Sequence, residues 1–343
     1  MDYGYEKIQN GDKSLSETKD TDKRNTYSTG FDFTWQPNLK NKLSLNSTMN
    51  LLVGPGLTET TTGVYQGTSV LDCILKARND YLKQKTIRYS NSANYLYQPS
   101  EKRQLALSVD WTHFDGKAQC EQPNTYFSPT NTLIRSDLFY SQPDKDIDIY
   151  ALLADYKCNP NAQSEWLVGV KTSLIKSNNT FLFKKNETID LQRSNKFEYN
   201  EHNIEGYTQY THTWNKLEFS AGLRIEYMYT FNKLSAYSNH KIEENNRKEL
   251  RLFPNMAVSY TINDKNKLAL LYSRRQDKPR YEDLNPFEYL LDELSYWKGN
   301  PFLKPQISNK ITLNYTRKCL SFNLYYNKLN DYFTSLTDAF ESN

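Results

Sequence analysis

The chain lacks the features that define several large protein classes. Its 343 residues include only 12 glycines and 12 prolines, which excludes collagen-like and low-complexity sequences. Its four cysteines show no Cys-x-x-Cys or Cys-x-x-His spacing, so a zinc site is not indicated and incidental thiols are the simpler interpretation. No apolar run approaches the roughly 18 residues of a membrane-spanning helix.

The chain also lacks a strong charge of either sign. Its 43 basic and 40 acidic residues give a net charge of +3, and the basic residues are scattered rather than gathered into a stripe. This pattern gives no support for a nucleic-acid partner. The sequence contains no nucleophile elbow, HExxH, Walker or dinucleotide-binding motif. We therefore expect no enzymatic activity, no catalytic residues and no cofactor.

Candidate metal ligands are separated along the sequence. The four histidines lie on different predicted hairpins or loop ends. Asp144, Asp146 and Asp148 have the spacing that opens a calcium loop, but Ile149 stands where the EF-hand needs glycine. A solvated strand entrance is the simpler interpretation, with a loose extracellular cation site as the alternative. We accordingly predict no metal site.

What the sequence does have is a long alternating segment. From 217 to 231 every odd position is apolar or aromatic, while the even positions are mostly polar or charged. A period of two indicates a β-strand with one apolar face. At about 3.3 Å per residue the segment is roughly 50 Å long, which suits a strand that crosses a bilayer at a tilt. The mean hydropathy of −0.82 is compatible with this, because only alternate side chains of a barrel strand meet lipid.

Similar alternation predicts six hairpins along the chain. Each has a short polar turn, whereas long polar connections separate one hairpin from the next, which is the asymmetry of an outer-membrane barrel. The sequence therefore predicts an all-β fold, namely an incomplete transmembrane antiparallel up-and-down β-barrel with about 12 strands in 6 hairpins. The paired segments are 27–35 with 43–53, 86–98 with 103–114, 147–157 with 165–176, 203–213 with 216–231, 250–262 with 267–275, and 308–316 with 319–332. The expected long connections are 54–85, 115–145, 177–200, 232–248 and 276–306.

The domain organisation follows from these hairpins. Residues 1–25 are expected to form a polar N-terminal segment and residues 26–343 a partial outer-membrane β-barrel. The residues after Met1 are polar and show no apolar core of a secretory signal peptide, so we expect the chain to be a fragment of a longer exported protein.

Aromatic residues make up 14% of the chain, which fits a barrel that needs aromatic girdles at both membrane surfaces. The alternative is that they are ordinary core aromatics of a soluble sandwich. The girdle candidates are Trp35 and Trp214 beside short turns, and Trp111, Tyr227, Tyr229 and Phe231 toward the long connections.

Charged residues on the polar face of the 217–231 strand are the lumen-facing candidates. These are Glu218, Arg224 and Glu226. Because charges inside such barrels pair across strands, an internal ion-pair ladder is the first interpretation. Contact with a plug or a solute is the alternative.

Four ordered motifs make the C-terminal third the most specific part of the chain. They are Leu-Phe-Pro-Asn-Met-Ala-Val-Ser-Tyr at 252–260, Leu-Leu-Tyr-Ser-Arg-Arg at 270–275, Leu-Asn-Pro-Phe at 284–287, and the segment Gly299, Asn300, Pro301, Phe302, Leu303, Lys304 and Pro305. In this order they resemble the outer-membrane β-barrel family of Bacteroidetes, which is related to TonB-dependent receptors. Gln306 departs from the acidic residue that is common in that family.

The resemblance implies a parent that imports a solute across the outer membrane, with a plug domain inside a barrel of about 22 strands. Its implied partners are outer-membrane lipid, the plug, a TonB-type energy-coupling protein and an unknown solute. Two alternatives remain open, namely a non-transporting barrel that acts as a surface scaffold or adhesin, and a soluble β-sandwich binding module. Cys73 and Cys120 lie in neighbouring expected connections, where a disulfide between them is conceivable.

Overall fold

One antiparallel sheet organises most of the chain. The computed structural model describes residues 2–9, 12–237, 242–292 and 294–335. Within these ranges a 16-stranded sheet follows the order of the sequence, and a separate two-stranded sheet precedes its last hairpin. The elements are β1 (Asp2–Gln9), β2 (Asp12–Asp22), β3 (Asn25–Asn38), β4 (Asn41–Val53), β5 (Gly56–Gln66), β6 (Val70–Ser100), β7 (Arg103–Phe127), β8 (Leu133–Asn161), β9 (Ser164–Lys185), β10 (Thr188–Ile189), β11 (Asn195–Trp214), β12 (Leu217–Ala236), β13 (Ile242–Asn263), β14 (Asn266–Asp277), α1 (Tyr281–Leu284), β15 (Glu288–Asp292), β16 (Ser295–Lys298), β17 (Gln306–Arg317) and β18 (Leu320–Asn330).

The six predicted hairpins are confirmed as β3–β4, β6–β7, β8–β9, β11–β12, β13–β14 and β17–β18. Their turns are two residues long, at 39–40, 101–102, 162–163, 215–216, 264–265 and 318–319. In three of them an asparagine side chain accepts a hydrogen bond from the backbone N–H two residues on, at 2.9–3.0 Å, which is the local bond that makes asparagine a turn former. These residues are Asn38, Asn161 and Asn263.

Most of the expected long connections are wrong, because the strands continue through them. β6 begins at Val70 and β7 ends at Phe127, so residues 70–85 and 115–127 are strand rather than loop. In β9, residues 176–180 read Lys-Ser-Asn-Asn-Thr and still pair with β8 and β11. Polar residues occupy both faces of the strand there. The alternation of apolar and polar residues that marks a strand in the sequence therefore disappears, while the backbone hydrogen bonds to the neighbouring strands continue. Of the expected connections, 276–306 remains an excursion, and residues 238–241 of the expected 232–248 connection lie outside the described part.

Six of the described strands were not among the predicted hairpins: β1, β2, β5, β10, β15 and β16. The segment 1–25, which the sequence sets apart as polar, contributes β1 and β2 to the same sheet. β2 runs almost directly into β3 along the chain, and β4 runs almost directly into β5. Because β2 pairs with β5 and β3 pairs with β4, each of these consecutive couples, β2–β3 and β4–β5, is one long strand interrupted in the middle. Gly54 lies at the break with φ of 137°, a conformation that other residues rarely adopt.

The sheet has two chemically distinct faces. Ala154, Val170, Gly206, Ile225 and Leu252 are successive cross-strand partners from β8 to β13. This row is apolar and solvent-exposed, with exposed fractions of 54% for Val170, 43% for Ile225 and 50% for Leu252. We call this side the outward face, and the opposite side, which carries the neighbouring row, the inner face.

The sheet is open as far as the structure describes it. Its order runs from β1 at one edge to β18 at the other, with no pairing between these two strands in the described residues. The antiparallel up-and-down fold is thus confirmed, and the described strands do not close into a barrel. The one helix in the described residues is α1, and no described helix is long and apolar enough to cross a membrane.

Candidate functional site on the inner face

The excursion between β14 and β17 lies against the inner face. We call residues 278–305 the inner loop; it contains α1, β15 and β16. Its Phe287 is fully buried, and its Leu284 is 6% exposed. Both belong to a cluster with inner-face residues of β8, β9 and β11, so the loop packs on the wall rather than extending away from it. The wall residues of this cluster are Phe139, Phe181, Phe183, Phe197 and Tyr199.

Two of the sequence motifs bind each other at the base of the inner loop. The Gly299 N–H donates to the Asn285 carbonyl at 2.9 Å, and the Asn300 N–H donates to the Asp283 carbonyl at 2.7 Å. A Cβ atom at Gly299 would lie 2.4 Å from the Asn285 carbonyl oxygen, so only glycine fits this approach. The Leu-Asn-Pro-Phe segment and the segment that begins at Gly299 are therefore one structural unit.

Aromatic stacking anchors the centre of the inner loop. The rings of Phe287 and Phe181 are stacked with centroids 5.2 Å apart, and Tyr289 contacts Phe181 at 5.5 Å. Trp297 in turn packs against Tyr289 at 6.0 Å. Burial raises the pKa of both Tyr281 and Tyr289, so these phenols stay neutral across the physiological range.

Charged groups anchor the start of the inner loop. The Lys278 ammonium lies 2.8 Å from a carboxylate oxygen of Glu201 and 3.4 Å from one of Glu226. Glu201 and Glu226 are only 4% and 2% exposed, so each needs a nearby cation. Arg224 adds a second cation, 3.0 Å from Glu205 and 3.8 Å from Glu226.

The end of the inner loop is held by hydrogen bonds to its backbone. The Asn232 side chain donates to the Pro301 carbonyl at 3.0 Å, and the Arg247 guanidinium donates to the Leu303 carbonyl at 3.1 Å. Arg247 also lies 3.5 Å from Glu249. The loop is thus fixed at its start, centre and end by three different kinds of contact.

The lumen-facing candidates differ in their surroundings. Arg224 and Glu226 lie together on the inner face of β12, 3.8 Å apart, and belong to the ion-pair network under the inner loop. Glu218 is exposed near the short turn that precedes β12. Burial in β12 alternates as expected, since Leu223, Ile225 and Tyr227 are 38–43% exposed while Glu226 is buried.

The girdle candidates all lie on the outward face. Trp35 and Trp214, beside short turns, are 56% and 53% exposed. Trp111 and Tyr227, further along their strands, are 38% and 40% exposed. Tyr229 and Phe231 follow Tyr227 on the same face and are half-buried.

The remaining motif residues have unequal surroundings. Pro305 is fully buried, whereas Phe302 is 59% exposed. Leu303 packs against the aromatic cluster, and Lys304 follows it before β17 begins. This segment is an ordered entry to β17, as the sequence indicates.

One arrangement does not follow from the sequence pattern, and one pairing that the sequence allows does not form. His113 lies beside Asp146 and Asp148, because β7 and β8 place His113 opposite Asp148. Only the cross-strand register could reveal this contact. His240, another of the four histidines, lies outside the described residues. The conceivable Cys73–Cys120 disulfide does not form, since both thiols are free and Cys120 faces Tyr81, eight residues along β6 from Cys73. Burial raises the pKa of Cys120 to about 12.

Comparison with solved structures identifies the same fold. The ferric yersiniabactin uptake receptor FyuA from Yersinia pestis has a TM-score of 0.52 at 9% identity, with 96% of this chain and 52% of that chain covered. The ferric-catecholate import receptor Fiu from Escherichia coli K12 has a TM-score of 0.53 at 8% identity, with 96% and 57% covered. The chain therefore spans about half the length of these receptors. No curated protein matches its sequence significantly.

A sequence profile of the outer membrane protein beta-barrel family matches residues 98–342, well over half of the chain. This range includes four complete hairpins, from β8–β9 to β17–β18, together with β7 and the whole inner loop. The exposed apolar outward face and the polar inner face are those of a barrel wall. The chain belongs to the outer membrane protein beta-barrel family and is located in the outer membrane.

Proposed function

We propose that this chain is part of the barrel wall of a TonB-dependent-receptor-like importer whose solute is unidentified. The observation that carries the proposal is the inner loop, which is fixed on an inner face that carries both an aromatic cluster and buried charged residues. A barrel that only displayed an outer surface would have no use for such a lining. The similarity to FyuA and Fiu supports a receptor-like barrel, and the four motifs support an origin in Bacteroidetes.

The proposal assigns this chain to the wall, including β1 and β2 of the segment 1–25 as well as residues 26–343, and the remaining functions to the rest of the intact protein. A plug would lie inside the completed barrel and would couple to a TonB-type partner in the inner membrane. Arg224 and Glu226 face the lumen in this arrangement, and Glu218 faces it near the periplasmic turn. Transport in this arrangement is a matter of binding and gating.

Uptake by whole cells tests the proposal. Ferric chelates are the first probes, because the two similar receptors are named for ferric complexes. Cells that carry the intact protein should accumulate radioactive iron from at least one chelate, and cells without the gene should not. Collapse of the proton-motive force should reduce the uptake to the level of the deletion.

The alternative, a non-transporting scaffold or adhesin, predicts a different result. Uptake would then be equal with and without the gene across ferric, corrinoid and oligosaccharide probes, while attachment of the cells to surfaces would change. That combination of results would refute the import proposal.

A further inference from the structure

A cluster of metal-ligating side chains lies on the outward face, away from the inner loop. Val109, Trp111 and His113 alternate along this face of β7. Across the ladder, Tyr150 is the partner of Trp111 and Asp148 is the partner of His113. The cluster therefore lies one step beyond an aromatic pair of the girdle. This position is the boundary between the apolar band and the polar extensions of the strands.

The ligand atoms converge without an intervening group. His113, Asp146 and Asp148 each offer one ligand atom, and these atoms all lie within 4.8 Å of one another. The His113 Nδ1 atom is 3.1 Å from Asp148 Oδ1. Two ligands bound at about 2.1 Å to one tetrahedral zinc ion lie about 3.4 Å apart, so this pair is already at chelating distance. Asp146 is exposed, and its ligand atom lies within 4.8 Å of the other two.

Neighbouring groups orient the cluster. The Trp111 indole N–H donates to Asp148 Oδ1 at 3.1 Å, which fixes this carboxylate. The His113 ring stacks near Tyr89 on one side and Trp111 on the other, with centroids 6.4 and 6.3 Å away. Two of the three ligands are thus held in place by their neighbours, as they are in metal sites with ordered second shells.

The charges of the surrounding side chains favour a cation. Asp115 and Asp146 are direct cross-strand partners, and like charges in such positions destabilise a sheet. Asp144, two residues from Asp146 on the same face, keeps one buried carboxylate oxygen without a hydrogen-bond partner. Lys117 lies 3.7 Å from Asp115, and Lys176 is the cross-strand partner of Asp148. These lysines balance only part of the negative charge.

We propose that His113, Asp146 and Asp148 form a binding site for one divalent transition-metal ion, with Zn²⁺ as the best fit. An imidazole nitrogen with two carboxylates suits zinc, whereas magnesium and calcium prefer oxygen ligands alone. Open coordination positions face the solvent at the membrane boundary. The ion would tie β7 to β8 where like charges now oppose each other, and this role is separate from import.

Zinc titration of the intact, chelator-treated protein in detergent micelles tests the site. We expect calorimetry to show one saturable Zn²⁺ site per chain. His113→Ala and the double variant Asp146→Asn with Asp148→Asn should each weaken binding by about tenfold or more. The matched control is His202→Ala, because His202 is an exposed histidine at the outer end of the apolar band of β11 and has Tyr229 and Leu174 as cross-strand partners. It should leave binding unchanged.

A second measurement needs no substitution. Zinc should protect His113, and not His202, from modification by diethylpyrocarbonate as mapped by mass spectrometry. Absence of saturable zinc binding would overturn the proposal. So would equal loss of binding in His113→Ala and His202→Ala, or Mg²⁺ binding that matches Zn²⁺ and survives His113→Ala.

Discussion

Strands β3 and β11 have the same alternating design but opposite surroundings. Every residue of β3 is exposed, including Phe31 at 61%. In β11 the inner-face residues Glu201, Asn203 and Glu205 are 3–7% exposed. β11 lies between β9 and β12 near the inner loop, whereas the described chain pairs β3 only with β4. Burial of a polar inner face is therefore decided by what covers it and not by the strand's own sequence.

The largest expected effect comes from removing the side chain that anchors the inner loop on β8, β9 and β11. Phe287→Ala should lower the free energy of unfolding by about 3–5 kcal/mol, because Phe287 is fully buried. The substitution should also expose Ser177, which is now 3% exposed. Its hydroxyl group should become as reactive toward a covalent label as that of Ser28 on β3, where every residue is exposed. Denaturant unfolding in micelles and footprinting measure the two effects.

The control for this prediction is Phe302→Ala in the same loop. Phe302 is 59% exposed, so its loss should have little effect on either measurement. Equal effects of the two substitutions would show that Phe287 is not the anchor.

A slightly smaller effect is expected from a test of which face of β12 meets lipid. Leu223→Arg places a charge on the outward face of β12 and should cost roughly 2–4 kcal/mol if that face meets lipid at mid-membrane. Ser220→Arg, on the inner face, should be tolerated better. Heat-modifiable migration in gels reports assembly, and equal assembly of both variants would contradict the assignment of the faces.

The close contact within the inner loop gives the next test. Gly299→Ala forces a Cβ atom to within 2.4–2.8 Å of three carbonyl oxygens and should cost about 1–3 kcal/mol. Gly206→Ala is the matched control, because nothing lies within 4 Å of its Cβ position. The difference between their unfolding midpoints measures the contact, and equal midpoints would mean that the two motifs do not need each other.

The smallest expected effect concerns the entry to β17. Replacing Pro301 and Pro305 by alanine frees the unfolded chain and should cost about 0.4–1 kcal/mol at each site. Solute binding by the full-length protein should persist. If binding is lost while the unfolding midpoint stays the same, the segment belongs to the solute site instead.

The sequence predicts the strands wherever one face is apolar. Residues 217–231 alternate clearly, and the structure places β12 there with the expected alternation of burial. Residues 58–62 read Thr-Glu-Thr-Thr-Thr, which offers no alternation of apolar and polar residues, so β5 is not predicted, although its residues 56–64 pair with β6 without interruption. Polar strand extensions are held mainly by backbone hydrogen bonds, which leave no trace in side-chain pattern.

The candidate site was less accessible to prediction than the strands. The motif residues 284–287 and 299–305 were found, but their mutual contact and their docking on the wall were not. Lys278 and Glu201 are 77 positions apart, and His113 and Asp148 are 35 apart. Such pairs follow from the register between strands, and the register depends on turn lengths that a pattern of polar residues leaves open.

The length of the strands also determines how far the wall reaches. β6 has 31 residues, so at about 3.3 Å per residue and a tilt of about 45° it rises roughly 70 Å along the barrel axis. The hydrocarbon layer takes only about 30 Å of this height. Most of the remainder must stand above the bilayer as a rigid collar. The first contact with a molecule from the medium would therefore be made by this collar, well away from the membrane surface.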